Sequence, residues 1–138
     1  MSWFQQNWQT VVFAVVMFAF LFRGPIMGRI YGVKTLSVHD LSKLLANDNP
    51  PLLVDVRTEP EYNRGHVQQA VLVPLHEVKK RMAHLKQNNE GREIAVICQS
   101  GNRSMMGSVH FRKAGFETVY NVSGGTGYWQ GQGYTVVQ

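Results

Sequence analysis

The chain holds a single cysteine, Cys98, in 138 residues. That scarcity excludes an internal disulfide framework and any zinc site built on several thiolates. A lone free thiol suits a reducing compartment. Basic runs are also missing. The 14 Lys and Arg residues outweigh 9 acidic ones and give a formal charge of +5, yet they are dispersed along the chain. Dispersed charge of this size supports weak attraction to anionic substrates or lipid and excludes a nucleic-acid footprint. There is no internal repeat and no low-complexity tract. His39, His76, His84 and His110 are scattered, and His66, in a turn after Gly65, has no second ligand at metal spacing. No metal and no cofactor is expected.

Charge is absent altogether from Met1 to Phe22. The core of that stretch, Val11 to Phe22, is unbroken apolar, and Trp3 and Trp8 are the residue type of an aromatic belt. As a helix, Trp3 to Phe22 would be about 30 Å long, close to the thickness of a bilayer core. A cleaved signal peptide should have a basic start and small residues before the cut. The start here is Ser2-Trp3-Phe4-Gln5, and Phe22-Arg23-Gly24-Pro25 follows. An uncleaved anchor over residues 1–24 is therefore preferred to a signal peptide or an interfacial helix. Arg23, Arg29 and Lys34 follow the segment and no basic side chain precedes it. The positive-inside rule then places the rest of the chain in the cytoplasm. The expectation is a single-pass protein of the bacterial inner membrane that touches lipid through residues 1–24. Gly24, Pro25 and Gly28 are expected to end the helix and open a linker over residues 25–34. Residues 35–138 form the soluble domain.

That domain alternates strands and helices. Apolar runs at Leu52–Val56, Val71–Val73, Ile94–Ile97 and Thr118–Tyr120 read as strands, with a short one at Thr35–Leu36. Helical stripes follow Ser37, run from Glu77 to Leu85, and run from Ser104 to Ala114. Arg57 to Arg64 reads as irregular with one helical turn. The alternation argues for a parallel α/β sheet.

Ile94–Ile97 delivers Cys98-Gln99-Ser100-Gly101-Asn102-Arg103-Ser104, a tight polar loop that leads into a helix. Ligands of open α/β sheets bind at that edge. Orphan backbone N–H groups, the positive end of a helix dipole and the Arg103 guanidinium all favour a thiolate there. Gly101 frees the loop to turn inward and aim successive amides at one centre, and Ser104 can cap the helix. Gln99, Ser100, Gly101, Asn102, Arg103 and Ser104 are the candidate binding residues around Cys98. Asp55 and Arg57, at a strand end, read as an ion pair bracing the loop. His66 reads as a structural, hydrogen-bonded histidine. Met105 and Met106 either pack the helix or form an apolar wall. Trp129 is expected to close the core beneath a Gly-rich turn.

The loop resembles the active-site loop of the rhodanese (sulfurtransferase) family. Further residues carry the same resemblance: Asp55-Val56-Arg57, Glu61-Tyr62, Gly65-His66-Val67, Ala70 and Pro74 for a first signature, Gly115-Phe116 after the helix, and Gly124-Gly125, Trp129, Gly133 and Val136 for a closing one. The chain departs from the family at Gln69, at Thr135, and at Gly107-Ser108, where two alanines are frequent. The resemblance spans roughly Thr35 to Val136. It implies a parallel sheet flanked by helices on both faces and a Cys98 persulfide. Cys98 would take a sulfane sulfur from a small-molecule donor such as thiosulfate or a low-molecular-weight persulfide. It would pass that sulfur to a thiol or protein cysteine acceptor. Having no second cysteine, the chain must discharge the persulfide to an outside nucleophile. Arg103 would stabilise the substrate. Protein tyrosine phosphatases use a similar cradle with five residues between Cys and Arg, against four here, which counts against a cysteine phosphatase or arsenate reductase. A non-catalytic, membrane-anchored binding module is the rival of another class.

Overall fold

The computed structural model describes residues 2–138. Five parallel strands form one sheet in the order β1-β5-β4-β2-β3: β1 Lys34–Leu36, β2 Leu52–Asp55, β3 Val71–Leu72, β4 Ile94–Ile97 and β5 Val119–Val122. The central pairs run in register Leu52 to Ile94 and Ile94 to Val119. Parallel strands need covered faces, and the period-2 alternation of side chains supplies two apolar surfaces. Leu52, Val54, Ile94, Val96 and Cys98 pack on one face with α4 (Val78–Asn88) and α5 (Asn102–Lys113). Leu53, Ala95 and Ile97 pack on the other with α2 (Val38–Leu45) and α6 (Gly125–Gly131). The short α3 (Glu59–Arg64) follows β2. Ser37 caps α2, its Oγ accepting the Asp40 N–H at 3.0 Å.

The first helix departs from the sequence expectation. α1 runs unbroken from Trp3 to Tyr31, with Pro25 inside it, so residues 25–31 are helical and not a linker. An interior proline removes a backbone hydrogen bond and costs about 3 kcal/mol. Tertiary packing offsets that loss. Gly28 is buried, and a Cβ placed there would press into the Met105 thioether of α5. Gly24 also faces Met105. The Arg112 Nε–H of α5 donates to the Tyr31 carbonyl at 2.7 Å, and Lys113 Nζ lies 4.9 Å from the centre of the Tyr31 ring. The helix stops at Gly32, in the left-handed region at φ 73°, and the Val33 N–H bonds back to the Gly28 carbonyl at 2.8 Å. The two small residues that looked like helix breakers thus let α1 sit close to α5. Toward its N-terminus the helix exposes its aromatic side chains, Phe13 at 67% for example. It is long and apolar enough to cross a membrane.

Two other boundaries move. α5 begins at Asn102 with Gly101 at the cap position, so Ser104 lies inside the first turn and does not cap it. The Gly-rich segment expected as a turn is helical from Gly125 to Gly131. Trp129 is buried there and its indole N–H donates to the Thr135 carbonyl at 3.0 Å.

Candidate active site

Cys98 leaves β4 on the face covered by α5 and is 1% exposed. The Gly101 N–H points back to its Sγ at 3.0 Å. Gly101 sits at φ 105°, which only glycine adopts without strain. The Cys98 Sγ–H lies 3.3 Å from Ser104 Oγ, which accepts it while donating its own hydrogen to Asn121 Oδ1. The Asn121 Nδ2 group donates to the Gly101 carbonyl at 3.2 Å. One β5 side chain therefore ties together both groups that touch the sulfur. The first amides of α5 have no partner within the helix and carry the positive end of its dipole. Of the loop amides expected to converge on the sulfur, Gly101 is the one that bonds to it.

A floor of backbone bonds holds the loop from below. Thr126 N–H donates to the Cys98 carbonyl at 2.8 Å and Gly127 N–H to the Gln99 carbonyl at 3.0 Å. Gly125, at φ 61°, is forced: a Cβ there would collide with the Cys98 carbonyl and the Gln99 backbone. Gly107 is less constrained. A Cβ at Gly107 would lie 3.3 Å from methyls of Val56 and Val96, tighter than ordinary packing.

Asp55 and Arg57 form a buried ion pair at the end of β2. Both are buried, with Arg57 Nε and Nη2 donating to the Asp55 carboxylate at 2.8–3.1 Å. The remaining donors reach the Gly65 carbonyl at 2.8 Å and Gln99 Oε1 at 3.2 Å. A buried pair needs every remaining hydrogen bond satisfied to be tolerated, and this one spans β2, the end of α3 and the loop. His66 is structural. Its Nδ1 bonds the Tyr62 carbonyl at 2.8 Å, its ring stacks on Tyr62 at 3.6 Å, and its backbone pairs with Val137.

Arg103 is not free at the loop end. Its Nη1 and Nη2 donate to the two oxygens of Glu61 at 2.7 and 2.8 Å. Those bonds, with help from Thr58, hold the Glu61 carboxyl down to about 2, and the same pairing raises Arg103. The motif contained Glu61, but its charge partner was not visible from spacing. Asn121 also escaped the sequence reading. Its signal was a single amide inside the apolar run Val119–Val122.

A cavity of about 610 Å³ opens beside the loop. Ser100, Gly101, Asn102 and Arg103 of the loop line it, together with Phe20, Leu21, Arg23 and Pro25 of α1 and Met105 and Met106 of α5. Met105 thus serves both expected purposes: it packs α1 and lines the cavity. A smaller cavity, about 390 Å³, lies on the other flank, against Arg57, Glu61 and Gln99.

The chain is thus an open parallel α/β sheet with a buried thiol at a strand's carboxyl edge, under a glycine-turned loop and a helix N-terminus. The rhodanese-like domain model matches residues 37–132. The chain is 30% identical over 105 residues to a sulfurtransferase of Allochromatium vinosum, covering 76% of this chain and 95% of that one. It is 36% identical over 100 residues to the Bacillus subtilis protein YrkF, named as a sulfur carrier, covering 72% of this chain and about half (52%) of YrkF. A crystal structure of a rhodanese-related protein from Thermoplasma volcanium superposes with a TM-score of 0.66 at 27% identity, covering 75% of this chain and 97% of that one. The chain belongs to the rhodanese-like domain family, and sulfurtransferases are among its relatives.

Proposed function

We propose that this chain is a membrane-anchored sulfurtransferase that carries sulfane sulfur as a persulfide on Cys98. The observation that carries the reading is the Gly101 N–H aimed at Sγ at 3.0 Å, at the start of α5. In the loading step the Cys98 thiolate attacks the outer sulfur of a donor. With thiosulfate, Sγ bonds to that sulfur, the old S–S bond breaks, and its electron pair leaves on sulfite. With a persulfide donor the pair leaves on a thiolate. The Gly101 amide and the α5 dipole stabilise negative charge on Sγ, as the attacking thiolate and again as the leaving group when the sulfur is passed on. Transfer reverses the roles: an acceptor thiolate attacks the outer sulfur and the electron pair returns to Cys98. Ser104 can turn its hydrogen from Asn121 to Sγ when the thiol loses its proton.

Arg103 enters donor binding by exchanging Glu61 for the donor's anionic group. Asp55, Arg57 and Gln99 act at a distance by fixing the loop. Residues 1–24 hold the protein in the bilayer of the bacterial inner membrane, with residues 35–138 in the cytoplasm; the charge asymmetry around α1 supports that orientation.

Steady-state kinetics with thiosulfate and a thiol acceptor test the reading. Double-displacement kinetics are expected, with Cys98→Ser inactive. Full turnover by Cys98→Ser would overturn it, and activity on an aryl phosphate in place of sulfur transfer would favour the phosphatase alternative.

A further inference from the structure

The wall that α1 contributes to the 610 Å³ cavity has a consequence for the acceptor. Small-molecule sites occupy about 300–1,000 Å³, so this space suits a small molecule and is too small for a folded partner. Its two sides differ in chemistry. α1 supplies hydrocarbon from Phe20, Leu21 and Pro25 and one cation, Arg23, and Met106 adds to the hydrocarbon from α5. Ser100 to Arg103 supply amides, hydroxyl and charge. Gly101 lines the cavity and also touches Sγ, so the polar side is one residue from the sulfur. The apolar side is continuous with the exposed face of α1, where Phe20 is 71% and Leu21 63% exposed. Apolar surface on that scale is where water is replaced by lipid or ligand.

We infer that the cavity takes an amphiphilic thiol drawn from the bilayer, its thiol directed to the Cys98 loop and its aliphatic tail laid against Phe20, Leu21 and Met106. The inference rests on the sulfurtransferase reading and names its acceptor class. The acceptor thiolate attacks the outer sulfur of the Cys98 persulfide. The S–S bond breaks, its electron pair stays on Sγ, and the product leaves as the acceptor's persulfide. α1 then has two roles, since the helix that holds the protein at the membrane also forms half of the acceptor site.

The test uses the full chain in phosphatidylcholine nanodiscs, loaded with thiosulfate and discharged to N-acyl cysteamines of increasing acyl length. kcat/KM is expected to climb about two- to fourfold per added methylene until the cavity fills, as burial of each CH₂ predicts. Longer thiols also concentrate in lipid, so variants separate the two effects. Leu21→Gln on α1 and Met106→Gln on α5 are expected to flatten the slope, while Phe13→Ala, remote on α1, keeps it. A thiol of the same length with a terminal sulfonate, which stays in water, should gain nothing from its tail. A flat series, equal slopes in all three variants, or equal rates for capped and uncapped tails would overturn the inference while leaving sulfur transfer intact. Failure to load Cys98 at all would instead overturn the sulfurtransferase reading and this inference with it.

Discussion

The two flanks of the Cys98 loop are built from opposite materials. On the α3 flank, the two guanidinium groups that reach the loop are each paired with a carboxylate: Arg57 with Asp55 and Arg103 with Glu61. On the α1 flank, the loop faces Phe20, Leu21, Pro25 and the two methionines across open space. The first flank holds the loop's shape through directional bonds that tolerate little displacement. The second offers mainly apolar surface, with Arg23 as its one charged lining residue. Directional bonds thus brace one side of the sulfur, and a largely apolar lining meets the other.

Breaking the polar flank should do the most damage. Asp55→Ala leaves the Arg57 guanidinium buried without its counter-charge, and removing one partner of such a pair costs about 3–5 kcal/mol. Chemical denaturation of the full chain in micelles should show a loss of that size, together with slower persulfide formation as Gln99 is released. A loss under about 1 kcal/mol would mean that the flank is not rigid in the sense described.

The apolar flank should yield less. Gly28→Leu forces a side chain into Met105, and overpacking of this kind costs about 1–3 kcal/mol. Because the strain falls between α1 and α5, it should open the cavity wall before it unfolds the sheet. The expected readout is a larger change in KM for apolar thiols than for glutathione. An equal change for both would separate α1 from the acceptor site.

The smallest effect on stability, and the sharpest on selectivity, belongs to Glu61. The Glu61–Arg103 pair is partly exposed, and pairs of this kind contribute little to stability. Glu61→Gln should nevertheless free Arg103 and raise kcat/KM for thiosulfate relative to a neutral persulfide donor. The pH dependence has a defined sign. Folding holds the Glu61 carboxyl at about 2, below its ordinary value of 4.5. Its contribution is therefore complete above about pH 4.5 and fades as pH falls through about 2. The difference in stability between Glu61→Gln and the parent chain should shrink across that window. A difference that grows on acidification would contradict the assignment.

Much of this contrast was legible in the residues themselves. The strands, the position of Cys98 and the Asp55–Arg57 brace follow from alternation and from one carboxylate and one guanidinium at a strand end. The α1 flank was not legible, because local propensity is the wrong guide there. Gly24, Pro25 and Gly28 read as helix breakers by themselves, and only Met105, some 80 residues later, makes the smallness of the two glycines useful. Ser104 was misplaced for a similar reason. A serine near a helix start has the chemistry of a cap, but Asn121 on a distant strand takes its hydroxyl instead. Glu61 and Arg103 are 42 residues apart, and no spacing rule joins them.

The central claim concerns the sulfur on Cys98, and intact-mass measurement of the full chain after exposure to thiosulfate, glutathione persulfide or polysulfide tests it most directly. A gain of about 32 Da, one sulfur atom, is predicted, absent in Cys98→Ser and lost on adding a thiol. An unchanged mass with all three donors would contradict the account and leave the chain a binding module that retains the fold without the chemistry.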